Sequence, residues 1–143
     1  MPYNFLDDIA IADVAFEAWG DTPEEMFVAA ADATMNVMVD NFDKIEPHEN
    51  RAIVLKAEKM DMLLFEFLQE LIFFKDAEML LLRVEDVKIG HEDDFYILSA
   101  AAYGEQIDPE KHDLVVDVKA VTMHKFKVEQ TQRGWETLVV LDI

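Results

Sequence analysis

Two stretches of this chain carry the spacing of an amphipathic helix, and most of the rest alternates apolar and polar residues. In the first, Thr22-Pro23-Glu24-Glu25 opens a helix. Thr22 can accept from the free N–H groups of the first turn, Pro23 suits the position where a missing donor costs nothing, and Glu25 completes a capping box. Phe27, Ala30, Ala31, Thr34, Met35 and Met38 follow at helical spacing as the buried stripe. In the second, Asp61 is positioned to cap a helix from Met62 to about Lys75. Its apolar residues, Leu64, Phe67, Leu68, Leu71, Ile72 and Phe74, are dense enough for burial on more than one side.

Around these helices the period is two, the mark of strands. Ala10 to Trp19 alternates and stops at Gly20-Asp21; a polar linker containing Pro47 runs from about Asp40 to Asn50; Ile53, Leu55 and Ala57 mark a second strand. Met79 to Ile89 is a third, whose apolar phase slips by one residue near Glu85-Asp86, as a β-bulge requires. A hairpin turn over Gly90 to Asp94 leads to a fourth strand, Phe95 to Tyr103, and Gly104 to about Leu114 reads as a loop. Val115 to Glu129 reads as one long strand, followed by a hairpin and a last strand, Trp135 to Ile143.

The order β-α-β-α-β-β-β-β is a strand-helix-strand-strand unit, about 51–104, nested inside a second unit of the same kind. This predicts an α+β fold in a single 1–143 domain: one mixed sheet or two joined sheets, with both helices covering a face.

Charge narrows the functions open to such a chain. Twelve Lys and Arg against 31 Asp and Glu give 12 − 31 = −19. A surface this acidic repels nucleic-acid phosphates and favours cations or a basic protein partner. The chain has no cysteine, which excludes disulfides, thiolate catalysis and Cys-type zinc sites. The absence of a signal-like N-terminus and of an apolar run near the roughly 20 residues of a membrane span points to a soluble, cytoplasmic protein.

The final Asp142-Ile143 places a side-chain carboxylate beside an α-carboxylate at the end of a strand, half of a hard-cation site. Asp13 is an acid among apolar neighbours and needs a partner. Lys119 follows Asp117 on the same face of the long strand, where it is either half of a cross-strand ion pair or a positive group beside the carboxylates; His124 lies further along, on the face of Val118 and Phe126. His112-Asp113 is the best material for a rival site, although His48, His91 and His112 lack the spacing of a zinc site. The chain contains no glycine-rich phosphate loop and no evident Ser/His/Asp arrangement.

Four segments, in order, resemble the archease family. Asp13-Val14-Ala15-Phe16-Glu17-Ala18-Trp19-Gly20 is similar to its N-terminal motif, and Leu63 to Ile72 to its leucine-rich second helix. Asp117-Val118-Lys119-Ala120-Val121-Thr122-Met123-His124 is similar to its strand motif, and Leu141-Asp142-Ile143 to its C-terminal end. The chain departs from the family in having Ile9-Ala10-Ile11-Ala12 where His-Thr usually precedes Ala-Asp, and Ala15 in place of a glycine. Asp8 is the alternative to Asp13 as the N-terminal carboxylate, but Asp13 keeps the register with Trp19-Gly20. The resemblance implies the nested fold and a divalent cation, Ca²⁺ with Mg²⁺ or Mn²⁺ as alternatives, held by Asp13, Asp142 and Ile143. Lys119, His124 and Asp117 would support that site. It implies a non-catalytic protein cofactor that promotes guanylylation and multiple turnover of a GTP-dependent tRNA-splicing RNA ligase. The rival readings are a small metal-dependent phosphoesterase and a chaperone-like interaction module whose metal is structural.

Overall fold

The computed structural model describes residues 2–6 and 13–143. Among these, β1 (Tyr3–Leu6), β2 (Asp13–Gly20), β6 (Ala120–Thr131) and β7 (Gly134–Asp142) form one sheet in the order β1-β2-β7-β6. The strands β3 (Glu49–Ala57), β4 (Leu80–Glu92) and β5 (Phe95–Gln106) form a second, in the order β3-β5-β4. The α+β class is as the periodicity predicts, and of the two arrangements it leaves open the chain takes the one with two sheets. Neither sheet is mixed, however: among the described residues every pairing is antiparallel. The nested order explains why, since β2 meets β7 from the far end of the chain and β3 meets β5 across the α2–β4 segment.

The helices α1 (Pro23–Met38) and α2 (Met60–Glu78) join the sheets. Helix α1 packs on β2 and β4, and α2 on β3, β4 and β6, so each helix touches both sheets. Phe27 and Phe67, both fully buried, meet with ring centroids 5.5 Å apart where the helices cross. Truncating Phe67 to alanine would cost about 3–5 kcal/mol.

The start of α1 follows its sequence signals. Thr22 Oγ1 accepts from Glu25 N at 3.2 Å, and the Glu25 carboxylate accepts from Asp21 N at 2.8 Å, one residue before the cap. Helix α2 begins earlier than expected, with Lys59 rather than Asp61 at the cap position; Asp61 sits in the first turn and accepts from Met62 N. It also ends later, at Glu78, where Met79 turns left-handed (φ 57°) as the C-cap instead of starting a strand.

The predicted bulge is present: the β4–β5 register shifts between Glu85 and Lys88, with Asp86 at φ 55°. Strand β1 was not expected. The first alternating run becomes β2 from Asp13 onward; its part over 10–12, and Asp8, lie outside the described residues. The run from Val115 is no single strand either. Val115 N donates to Met38 O, Val39 pairs with Leu114, and β6 begins only at Ala120.

Candidate functional site

Strand β7 lies between β2 and β6 and brings three segments together at one end of its sheet. Asp142 is the register partner of Asp13 on β2 and of Ala120 on β6. Directly opposed residues of an antiparallel pair point to the same face, so the carboxylates of Asp13 and Asp142 share one. Asp13 is half-buried and Asp142 exposed. Among the described residues neither has a Lys, Arg or His within ion-pair distance. Like charges directly opposed across a ladder are destabilising, and a cation between them removes the penalty. Ile143, half-buried, lines a groove of about 320 Å³ with Phe5, Val14, Val37, Val115 and Val116. The donor set is oxygen only, the chemistry of Ca²⁺ or Mg²⁺.

The segment 114–119 is a strap leading to this end. Lys119 N donates to Asp142 O at 2.8 Å, so its backbone is fixed at the site while its side chain is exposed. Lys119 makes no cross-strand ion pair among the described residues, and Asp117 is engaged elsewhere. Asp117 Oδ1 instead accepts from Lys75 of α2 at 2.6 Å, and the same ammonium donates to Asp76 Oδ1 at 2.5 Å and to Val118 O at 2.7 Å. Burial disfavours the Lys75 charge, but Asp117 and Asp76 outweigh it and raise its pKa. Asp117 therefore anchors the strap from behind and does not join the carboxylates.

His124 does not share a regular strand face with Val118 and Phe126. The β6–β7 register breaks between Thr122 and Lys127, with Lys125 left-handed (φ 55°). Met123, His124 and Lys125 are exposed on this bulge, while Phe126 turns in against Phe65 with centroids 5.6 Å apart.

A second charged cluster, for which the sequence gives only His112 as a hint, lies where the chain enters and leaves the β3–β5 sheet. Glu105, at the end of β5, is buried. Its carboxylate accepts from Lys111 Nζ at 2.8 and 2.9 Å and from Glu46 N at 2.6 Å, and lies 3.4 Å from His112 Nε2. Lys111 also bonds the Glu46 carboxylate, and His48 Nε2 lies 3.5 Å from Glu46 Oε2. Burial alone would raise the Glu105 pKa; the donors from Lys111, Glu46 N–H and His112 outweigh it and hold it at about 2.

The fold and these motifs agree with what comparison shows. The Archease protein family model matches residues 3–143. The archease of Pyrococcus abyssi is 41% identical over 133 residues, covering 92% of this chain and 93% of that protein. The archease of Methanopyrus kandleri is 33% identical over 143 residues, covering all of both. The solution structure of Methanobacterium thermoautotrophicum protein 1598 superposes with a TM-score of 0.86 at 34% identity, covering 99% of each chain. The crystal structure of a Thermotoga maritima protein, described as an archease and possible chaperone, shares the fold at 19% identity with a TM-score of 0.61, over 92% of this chain and 91% of that one. On the family match and the identities to its relatives, this chain belongs to the archease family.

Proposed function

We propose that this archease is a non-catalytic, metal-binding cofactor of a GTP-dependent tRNA-splicing RNA ligase, with the chain end as its working surface. The observation that carries the reading is the Asp13–Asp142 register pair, two carboxylates on one face of the sheet with no Lys, Arg or His within ion-pair distance among the described residues. Asp13, Asp142 and the α-carboxylate of Ile143 would hold the divalent ion, Ca²⁺ in preference to Mg²⁺ or Mn²⁺ because the ligands are carboxylates at a partly open edge. Such an ion supplies charge that can orient a phosphate. The exposed Lys119, whose backbone is fixed to Asp142, adds a second positive group beside it. His124 on the neighbouring bulge is available to the same partner. The acidic body, with its net charge of −19, fits a basic enzyme surface and opposes direct RNA binding.

The test is ligation of a 2′,3′-cyclic-phosphate RNA by the matching ligase with this protein at sub-stoichiometric amount. Wild type is expected to give multiple turnovers and a faster-forming ligase–guanylate. Asp142→Ala, verified as folded, is expected to lose at least about tenfold of the stimulation, the scale on which loss of a metal-site interaction is felt. Stimulation by Asp142→Ala equal to wild type would sink the reading. Phosphatase activity of the purified protein with Mn²⁺, lost in Asp13→Ala, would instead promote the phosphoesterase alternative.

A further inference from the structure

Beyond the charged waist, where Glu46, Glu105 and Lys111 meet, the chain changes character. Leu114, Val115 and Val116, at the start of the strap, are exposed by 47, 60 and 38%, and Phe5 of β1, at 39%, lines a groove with the two valines. Three consecutive exposed apolar residues do nothing for folding and mark a surface with a use.

The strap is a ridge between two grooves, and Val115 and Val116 line both. On the chain-end side is the groove of about 320 Å³ that Ile143 lines; the other, of about 200 Å³, has Met38, Leu81, Ile107 and Leu114 in its walls. Small-molecule cavities run from about 300 to 1,000 Å³, so a split pair of this size suits single apolar side chains of a protein better than a free ligand. The ridge is also built before anything binds. Val115 N donates to Met38 O at 2.9 Å, Lys119 N to Asp142 O at 2.8 Å, and the Lys75 ammonium to Val118 O at 2.7 Å. A partner therefore spends little on ordering it.

The rim says what covers the ridge. Asp40 lines the larger groove and Asp117 the smaller; both are exposed, as is Asp113 just before the ridge. Among the described residues Asp40 and Asp113 have no Lys, Arg or His within ion-pair distance. Lys75, in the wall of the smaller groove, has its charge taken by Asp76 and Asp117, and Lys119 stands at the far end of the strap. A second copy fits poorly, because a two-fold contact would set two acidic rims together on chains of net charge −19. The complementary surface is apolar with a basic border.

We propose that this ridge is where the partner enzyme grips the protein. A segment of that enzyme, with apolar side chains bordered by Lys or Arg, lies across Val115 and Val116, its apolar groups in the two grooves and its cations against Asp40 and Asp113. The occupant is the partner in the function proposed above, on which this surface therefore rests. Ile143 belongs to the larger groove, so a segment seated there reaches the chain end.

The experiment is calorimetric titration of the full chain into the matching ligase. Val115→Ser combined with Val116→Ser, at exposed positions where the fold has little to lose, is expected to weaken binding about tenfold or more, the scale of a truncated interface anchor. Val54→Ser, 69% exposed on the other sheet, is expected to bind like wild type. Wild-type binding should weaken as salt rises, and Asp40→Asn combined with Asp113→Asn should flatten that dependence. Wild-type binding that the double valine variant matches, that Val54→Ser loses equally, or that ignores salt would overturn the docking surface and leave the function above standing. No ligase binding by wild type would sink that function, and this surface with it. Sedimentation of wild type as a dimer, abolished in the double valine variant, would refute the enzyme as occupant in favour of a second copy.

Discussion

At the waist, the Glu46 and Glu105 carboxylates are met by a lysine, and Glu105 also by a backbone N–H and an aimed imidazole. At the chain end, Asp13 and Asp142 are opposed across a ladder with no such partner among the described residues. The same residue chemistry therefore serves two ends. The waist consumes its charge internally and ties loops together. The chain end leaves its charge unspent, which is unfavourable for folding and useful only if something outside the chain supplies the cation. This contrast makes the chain end the stronger candidate for the family's function, although Glu105 is the more buried acid.

The contrast is broken most readily at Glu105. Glu105→Gln is expected to cost about 2–3 kcal/mol, since it removes charge-assisted bonds at a buried acceptor. The pH dependence gives an independent signature. The Glu105 pKa is lowered from 4.5 to about 2, so its contribution is fully present above about pH 4.5 and is lost as pH falls toward 2. Denaturant melts across that window should show an acid-side decline in wild type that is flattened in Glu105→Gln. An unchanged slope would mean that the waist does not hold its charge as the geometry indicates.

Lys75 holds the strap that leads from the waist to the chain end and gives the next effect. Its ammonium, almost wholly buried, holds Val118 O, and the following residue bonds Asp142. Lys75→Met leaves Asp76 and Asp117 in water, where they are easily solvated, but strands a buried carbonyl. The expected loss is about 2 kcal/mol, that of a hydrogen bond to a charged group. Amide exchange of Val118 and Lys119 should rise further than that of β3, which lies in the other sheet. Uniform acceleration across the chain would show that Lys75 stabilises the whole fold and does not position the strap.

How much of this was legible in the sequence follows from the range of each interaction. The α1 cap, the bulge at Glu85-Asp86 and the terminal strand rest on local spacing and were readable. The resemblance names Asp13 and Asp142 as ligands of one cation, but the register that sets them opposite each other is a pairing of the two chain ends that no local pattern carries. Val115 to Lys119 alternates like a strand and is rich in β-branched residues, yet Met38 O and the Lys75 ammonium capture its backbone groups first. The phase of β6 fails beyond Thr122 because Phe126 turns in to meet Phe65, a contact between side chains 61 positions apart in sequence that no local pattern announces. The waist was invisible for the same reason: Glu46 reaches its partners across 59 residues to Glu105 and 65 to Lys111. His48 and His112 stand 64 positions apart in the sequence, and the carboxylates they meet come from other segments.

The smallest effect is the sharpest discriminator. If Asp13 and Asp142 repel, Asp142→Asn should stabilise the metal-free protein by about 0.5 kcal/mol, within the range of one cross-strand charge pair. In saturating Ca²⁺ the order should reverse. At 100 times its dissociation constant the ion would stabilise wild type by about 2.7 kcal/mol and the variant by much less. Thermal melts of both proteins, with EDTA and then with Ca²⁺, would therefore cross. Each half of that crossing tests a different claim. A variant less stable in EDTA would make Asp142 an internal acceptor like Glu105, and the contrast between the two regions would collapse. A variant more stable in both conditions would leave the repulsion real but the cation unbound, and the opposed carboxylates would then be open to a positive group carried by a protein partner.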